Sequence, residues 1–172
     1  MGNILRKLAL ASQRAPGQRT FQFLHHHDLP RLEAFFLSFD FDQRRTYFGG
    51  GISDHSIRSY CSAIDWTATT VIARGGPYCL EAVAMLVSRP PDHASVELSI
   101  GCPLACNQRS IMAELLDLSI EVAACKYQAL VVSHELAPPG LLGLLRRNYL
   151  ASFGRDYARI DLATSEVRTA AC

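Results

Sequence analysis

The hydrophobic and polar positions of the chain change period several times, and each change predicts a new element. Residues 19–24 alternate apolar and polar side chains, which predicts a first strand. Asp28 is expected to cap a helix after this strand. Ser53 or Asp54 is expected to cap a second helix beyond a run of three glycines. The apolar positions of that second helix follow helical spacing and are Ile57, Tyr60, Cys61 and Ile64.

The middle of the chain predicts three strands and one long helix. Residues 69–73 and 78–88 are rich in β-branched and apolar side chains and flank a glycine-containing turn, so we expect a hairpin. Residues 94–101 alternate strictly and predict the next strand. A long helix is expected over 109–126. Its expected apolar stripe is Ile111, Leu115, Leu118, Val122 and Cys125.

The last third of the chain completes the predicted sheet. Residues 129–132 form a short continuous apolar run, typical of a central strand that is buried on both faces. A helix over 141–147 and strands over 150–153 and 157–162 follow. The predicted order is β-α-α-β-β-β-α-β-α-β-β. It indicates one α+β domain, with a mixed, mainly antiparallel sheet and helices on both of its faces.

Length, composition and charge narrow the class of protein. A chain of 172 residues with 49% hydrophobic and 19% charged residues is expected to form one packed core, here over 19–162, with tails at 1–18 and 163–172. A net charge of +1 argues against a nucleic-acid partner. No apolar run approaches the ~18 residues of a membrane span. Since no secretory signal or myristoylation pattern is recognised, we expect a cytoplasmic protein.

The cysteine and histidine residues give little reason to expect a metal site. The six cysteines are interpreted as small buried side chains in a reducing compartment. Cys102 and Cys106 form one close pair, and no second pair provides the four ligands of a zinc site. They are therefore interpreted as loop and core residues and not as a nucleophile or redox sensor. The run His25–His27 is interpreted as a surface loop bordering an acceptor groove.

Two segments carry a resemblance to a known family. Residues 42–54 (DQRRTYFGGGISD) resemble an "R-x-R-F-x-G-x-x-S-D" segment of one bacterial branch of the GNAT superfamily of acyl-CoA N-acyltransferases. The strand 96–100, the loop after it and the helix that begins IMAELL resemble that superfamily's acyl-CoA-binding core. The predicted element order is also similar to the GNAT order. The resemblance covers about residues 19–162 and implies a GNAT-like fold.

The resemblance also implies a binding site for acetyl-CoA or another acyl-CoA. In the family, a Q/R-x-x-G-x-G/A loop and the following helix N-terminus hold the coenzyme A pyrophosphate, because their unpaired N–H groups attract anions. Here Asn, Ser and Met replace the Gln or Arg and the two small residues. The implied cofactor-binding positions are Gly101, Cys102, Leu104, Asn107, Gln108, Arg109, Ser110, Ile111 and Met112. The family's cleft between the fourth and fifth strands is expected as well.

The implied catalytic groups are Glu97 and Tyr149. Glu97 matches an acidic residue of the fourth strand that often acts as the general base through water, although an alternating strand also places solvated residues there. Where the family often has Asn and Tyr in the next helix, this chain has Pro138 and Leu145, so Tyr149 is the remaining candidate for the acid. Tyr149 and Arg109 also have ordinary interpretations, as a packing residue and a surface charge.

Two function classes remain open at this point. The first is an N-acyltransferase acting on a small-molecule or peptide amine, without a metal. The second is a GNAT-fold ligand-binding or interaction module without catalysis, which the altered loop, Pro138 and Leu145 favour. A homodimer is one expectation, since exposed strands of this fold often pair. Secondary candidates for site residues are His134-Glu135, as an acid or base, and Arg44 and Arg45, which either line the acceptor side or are surface charges on a helix end.

Overall fold

A computed structural model describes residues 20–50, 53–88, 94–103 and 108–162. The strands are β1 (Thr20–Leu24), β2 (Thr69–Gly75), β3 (Leu80–Ser88), β4 (Ser95–Gly101), β5 (Ala129–Ser133), β6 (Ala151–Phe153) and β7 (Tyr157–Asp161). The helices are α1 (Leu29–Leu37), α2 (Phe41–Phe48), α3 (Asp54–Ser62), α4 (Gln108–Ala123) and α5 (Leu141–Asn148), and a short 3-10 turn spans His26–Asp28. The predicted tails 1–18 and 163–172 lie outside the described residues.

One seven-stranded sheet organises the domain. Its strand order is β1-β2-β3-β4-β5-β7-β6, and every neighbouring pair is antiparallel except β4 and β5, which are parallel. The prediction of a mixed, mainly antiparallel sheet is therefore confirmed. The parallel pair requires a crossover between β4 and β5, and α4 is that crossover helix.

Two hydrophobic cores cover the two faces of the sheet, as the α+β prediction requires. On one face α4 and α5 pack on the apolar side of β4, with Leu98, Leu115 and Leu130 at its centre. On the other face α1, α2 and α3 form a core rich in aromatic rings, including Phe35 and Phe36. The alternation of β4 separates these faces, because its apolar residues face α4 and its polar residues face the aromatic core.

The helical region before β2 differs from the prediction. Two helices were expected between β1 and β2, and the structure has three. The extra boundary lies at Asp40, whose carboxylate accepts the Gln43 N–H at 2.9 Å while the Gln43 side chain accepts the Asp40 N–H at 3.0 Å. This reciprocal capping box starts α2. Ser53 caps α3 by accepting the Ser56 N–H at 3.1 Å, as expected.

Two local expectations were met only in part. Asp28 is the N-cap residue of α1, as expected, but its carboxylate accepts from the His25 N–H and the Arg31 guanidinium and caps no backbone N–H of the helix. The predicted apolar stripe of α4 includes the buried Ile111 and Leu115, whereas Leu118 and Val122 are only half-buried and Cys125 is exposed. The residues of α4 that are buried are Ile111, Met112, Leu115, Leu116, Ser119, Ile120 and Ala123.

None of the helices in the described part of the chain is long and apolar enough to cross a membrane.

Candidate active site

The pairing of β4 with β5 ends halfway along β4 and opens a cleft. Three residue pairs join these strands, and the last pair is Glu97 with Val131. On its other side β4 stays paired with β3 as far as Gly101. Among the strands that the structure describes, residues 98–101 therefore have a partner on the β3 side only. This is the cleft between the fourth and fifth strands that the resemblance implies.

A small cavity of about 90 Å³ lies at the open end of β4. Gly101 and Cys102 form one wall, Tyr47 of α2 forms a second, and the loop before α5 closes the third with Pro138 and Pro139. Gly101 is required at this wall, since a Cβ on it would lie 2.9 Å from the Phe39 ring. The lining is mainly apolar, and the exposed residue Asp42 also borders it.

The polar face of β4 leads toward this cavity. Glu97 and Ser99 alternate with buried residues and face the aromatic core, where the Tyr47 hydroxyl lies 3.1 Å from the Ser99 hydroxyl. Burial, together with the nearby Tyr60, raises the pKa of Tyr47 well above its ordinary value. Burial, with smaller contributions from the Cys61 and Glu97 side chains, raises the pKa of Tyr60 to about 12. Both phenols are therefore neutral hydrogen-bonding groups at physiological pH.

The N-terminal turn of α4 lies beyond Cys102 and contains several of the predicted coenzyme positions. Gln108 begins the helix, and the side chains of Arg109 and Ser110 are exposed. The N–H groups of this first turn have no partner within the helix. The Ser110 hydroxyl donates to Glu114 at 3.2 Å, and Arg74 of β2 donates to the same carboxylate at 2.9 Å. Sequence reasoning missed Arg74, which adds a cation beside this turn.

The remaining predicted coenzyme positions divide into core residues and residues that are not described. Ile111 and Met112 are 6% and 2% exposed and belong to the core under α4. The Met112 methyl group would lie 3.6 Å from a Cβ placed on Gly140, so this side chain points toward the start of α5. Leu104 and Asn107 lie outside the described residues, as does the side chain of Gln108.

The other predicted catalytic residue, Tyr149, is engaged in a hydrogen bond with helix α4. Its hydroxyl donates to the Asp117 carboxylate on α4. Burial and this carboxylate both raise the Tyr149 pKa far above its ordinary value. Leu145, at the position where the family often has Tyr, is fully buried in the core. The role of Tyr149 as an acid stays a prediction, with its proton directed at Asp117 in this conformation.

Two secondary candidates from the sequence have structural partners. The Arg44 guanidinium donates to the carbonyls of Leu37 at 2.6 Å and Phe39 at 2.9 Å and to Asp54 at 2.7 Å, so it joins the end of α1 to the start of α3. His134 lies 3.1 Å from the Arg155 carbonyl in the turn between β6 and β7. Arg45 and Glu135 are exposed.

The histidine and cysteine expectations are only partly met. His25 and His26 border a second cavity, and that cavity shares no lining residue with the one beside Gly101. Cys61 and Cys102 are buried, whereas Cys79 and Cys125 are exposed, contrary to the interpretation of buried cysteines. Cys106 and Cys172 lie outside the described residues. Among the residues that are described, no group of three His, Cys, Asp or Glu side chains is arranged to hold a metal ion.

The fold is that of the GNAT acetyltransferases. No family model matches the chain, and no curated protein matches its sequence. Solved structures do match. The GNAT domain of S. lividans PAT superposes with a TM-score of 0.62 at 14% identity, covering 84% of this chain and 89% of that domain. The chain thus has a GNAT-like fold, as the resemblance implies.

Two further structural neighbours contain bound ligands. The yncA protein of Salmonella typhimurium with its cofactor acetyl-CoA has a TM-score of 0.61 at 14% identity, covering 89% of this chain and 99% of that protein. Spermidine N-acetyltransferase from Vibrio cholerae, in complex with CoA and spermine, has a TM-score of 0.59 at 14% identity, covering 85% and 96%. At this identity the likeness concerns the fold.

Proposed function

We propose that the protein is a GNAT-type N-acyltransferase that moves an acyl group from acetyl-CoA or another acyl-CoA to an amine. The observation that carries the proposal is the half-unpaired strand β4, whose residues 98–101 face an open cleft beside the N-terminus of α4. An extended ligand with amide groups binds such a strand edge as an additional strand would. The pantetheine arm of coenzyme A has this chemistry.

The residues around the cleft fit such a co-substrate. The first turn of α4, with Arg109 and Ser110 exposed, offers N–H groups and a cation to the pyrophosphate. Arg74 lies nearby, although its guanidinium is shared with the carboxylates of Glu114 at 2.9 Å and Glu81 at 3.8 Å. The backbone at Gly101 and Cys102 is suited to polarise the thioester carbonyl. Leu104, Asn107 and Gln108 remain proposed contacts of the loop, and Ile111 and Met112 support the helix from the core.

The chemistry then needs a base and an acid. The amine nitrogen attacks the thioester carbonyl, a C–N bond forms, and the C–S bond breaks with the electrons leaving on sulfur. We assign Glu97 as the base, which takes the ammonium proton through water or the hydroxyls of Ser99 and Tyr47. Tyr149 is the candidate that returns a proton to the leaving thiolate. Holding both reactants in the cleft provides much of the rate acceleration.

The acceptor is proposed to be a small-molecule or peptide amine. The cavity beside Gly101 is small and mainly apolar, so it suits a compact apolar group. The Asp42 carboxyl group at its border complements an ammonium group. Spermidine, named for one structural neighbour, shows that this fold accommodates amines. A cytoplasmic location and a homodimer stay expectations from the sequence.

One observation favours the second candidate, a GNAT-fold binding or interaction module without catalysis. The Tyr149 hydroxyl is engaged by Asp117, and the position of the family's usual acid is the buried Leu145. A chain that retained the cleft without an effective acid would bind acyl-CoA and release it unchanged.

Calorimetric titration with acetyl-CoA and longer acyl-CoAs tests the proposal. We expect saturable binding that Ser110→Asp abolishes, because a carboxylate at the helix start repels phosphate. Ser59→Asp places the same charge on the exposed surface of α3 and should leave binding unchanged. Glu97→Gln should retain binding and lose transfer to a panel of amines. If acyl-CoA did not bind at millimolar concentrations, the acyltransferase proposal would be contradicted. If acyl-CoA bound but no acyl group was transferred to any amine, the result would support the binding module without catalysis.

A further inference from the structure

A second and larger cavity lies at the other end of α4 from the proposed coenzyme site. Its volume is about 460 Å³, which falls within the range of ligand sites in proteins, roughly 300–1,000 Å³. It is bordered by the end of β1, the start of β2 and the residues that follow α4. No step of the proposed acyl transfer uses it.

The walls of this cavity are mainly apolar and partly aromatic. Phe23, Trp66 and Tyr127 contribute three half-buried rings, Val122 contributes half-buried aliphatic surface, and the lining also includes Leu86, which is buried. Rings and aliphatic groups left at the wall of an open cavity favour an apolar ligand, since covering them removes their surface from water. The body of a ligand at this place is therefore apolar.

The border carries one cation, Lys126, and two imidazoles, His25 and His26, together with the Cys125 thiol and the Tyr127 phenol. Among the described residues that line the cavity, none is Asp or Glu. The Lys126 side chain is exposed and forms no ion pair within the described part of the chain. Of the acids close in sequence to the lining residues, Asp28 is bound by the Arg31 guanidinium at 2.8 Å, and Asp65 accepts from the Thr67 N–H and hydroxyl at 2.9 and 2.7 Å. A cation beside an apolar wall complements an anionic group attached to an apolar body.

We propose that this cavity binds a carboxylate with an apolar body. The carboxylate lies at Lys126 and the two imidazoles, and the apolar body lies against the rings and Val122. This ligand is a different molecule from the acyl-CoA and amine of the proposed reaction, and its binding does not depend on that reaction.

Intrinsic fluorescence tests the proposal directly, because Trp66 is the only tryptophan of the chain and lines this cavity. Decanoate is the probe, with decanol and decyltrimethylammonium as uncharged and cationic controls of equal chain length. We expect a saturable change in Trp66 fluorescence with decanoate. We expect roughly tenfold weaker binding of the cation, the size of one charge-assisted contact.

Three variants locate the ligand. Lys126→Gln should weaken the binding of decanoate roughly five- to tenfold and leave the binding of decanol unchanged. Val122→Phe should weaken the binding of both decanoate and decanol, because the larger side chain fills the apolar part of the cavity. Arg147→Gln removes an equally exposed cation on α5 and should change neither.

Several results would overturn the proposal. One is the absence of saturable binding to the unmodified chain. Equal affinity for decanoate and decyltrimethylammonium would reject the anionic selectivity. A fluorescence change that follows protein concentration and not decanoate would mean that a second copy of the chain covers the cavity.

Discussion

Replacement of Gly101 by alanine tests the wall between the cleft and the aromatic core. A Cβ at this position would lie 2.9 Å from Phe39 Cζ, 3.2 Å from Tyr47 Cε2 and 3.4 Å from Phe35 Cε1. These rings are at least 93% buried, so they have little room to withdraw. Overpacking of this kind costs about 1–3 kcal/mol, and alanine regains about 0.5 kcal/mol over glycine in a strand.

The expected net loss is about 0.5–2.5 kcal/mol in the free energy of unfolding. For a chain of this size that lowers the midpoint of thermal unfolding by about 1–10 °C. Urea unfolding followed by circular dichroism measures the first quantity, and a thermal scan measures the second. Displaced rings would also narrow the cavity beside Gly101, so acyl transfer should fall by more than the stability loss explains.

Gly143→Ala is the matched control. Nothing lies within 4 Å of a Cβ at Gly143, and this residue is inside helix α5, so alanine should stabilise the protein by about 0.5–1 kcal/mol. If Gly101→Ala proved as stable as the unmodified protein, the described contact of Gly101 with the three rings would be wrong.

Three further predictions concern other parts of the molecule. Gly75→Ala should lower the free energy of unfolding by about 2–4 kcal/mol, because the φ of Gly75 is +154° and a Cβ would lie 2.3 Å from the Cys79 carbonyl oxygen. Gly76→Ala is the control, since a Cβ at Gly76 meets open space and should leave the stability nearly unchanged in urea unfolding. Arg44→Met removes the donor to the Leu37 and Phe39 carbonyls and should lower the free energy of unfolding by about 2–4 kcal/mol in the same measurement. A loss below roughly 0.5 kcal/mol, the size expected of a surface substitution, would contradict the role of Arg44 in joining α1 to α3. Burial raises the pKa of the Cys102 thiol from 9.0 to about 11. After iodoacetamide treatment at pH 8, mass spectrometry should therefore find the exposed Cys125 modified and Cys102 protected. Equal modification of the two residues would contradict the burial of Cys102.

Two buried thiols, those of Cys61 and Cys102, determine how the stability of the protein changes with pH in the alkaline range. Burial raises the pKa of both Cys61 and Cys102 from 9.0 to about 11. Between these values the unfolded chain has lost its thiol protons while the folded chain retains them. The unfolded state then binds fewer protons, so stability falls as the pH rises through this window. A stability that rose between pH 9 and 11 in urea unfolding would contradict the assignment.

Most of the fold follows from local sequence periodicity. The strict alternation of β4 predicts both its strand and its two faces, since one face must meet the core under α4. Helix α2 was missed because Tyr47 is its one buried residue, so no apolar stripe marks it. Its start is set by the Asp40–Gln43 capping box, a signal that was present in the sequence and not used.

The errors and omissions at the candidate site come from non-local packing. Helix α4 has apolar residues on more than one side, and its period does not reveal that Leu116 and Ile120 face the sheet while Leu118 and Val122 are half-buried. Arg74 lies on β2, 36 positions before Ser110, and reaches the start of α4 only because the sheet brings the two together. Contacts of this kind depend on the tertiary arrangement and leave no mark in local spacing.

The short β4–β5 junction has a mechanical consequence for the domain. Within the described residues, three residue pairs of β4 and β5 join the two halves of the sheet, together with the Gln128 and Ala129 N–H groups that donate to the Ala94 carbonyl. The cohesion of the halves also rests on side chains from both that pack under α4, such as Leu98 and Leu130. Hydrogen bonds are directional, whereas apolar contacts are non-directional and tolerate sliding. We therefore expect the width of the gap beyond Glu97 to adapt to a guest without loss of the bonds that join β4 to β5.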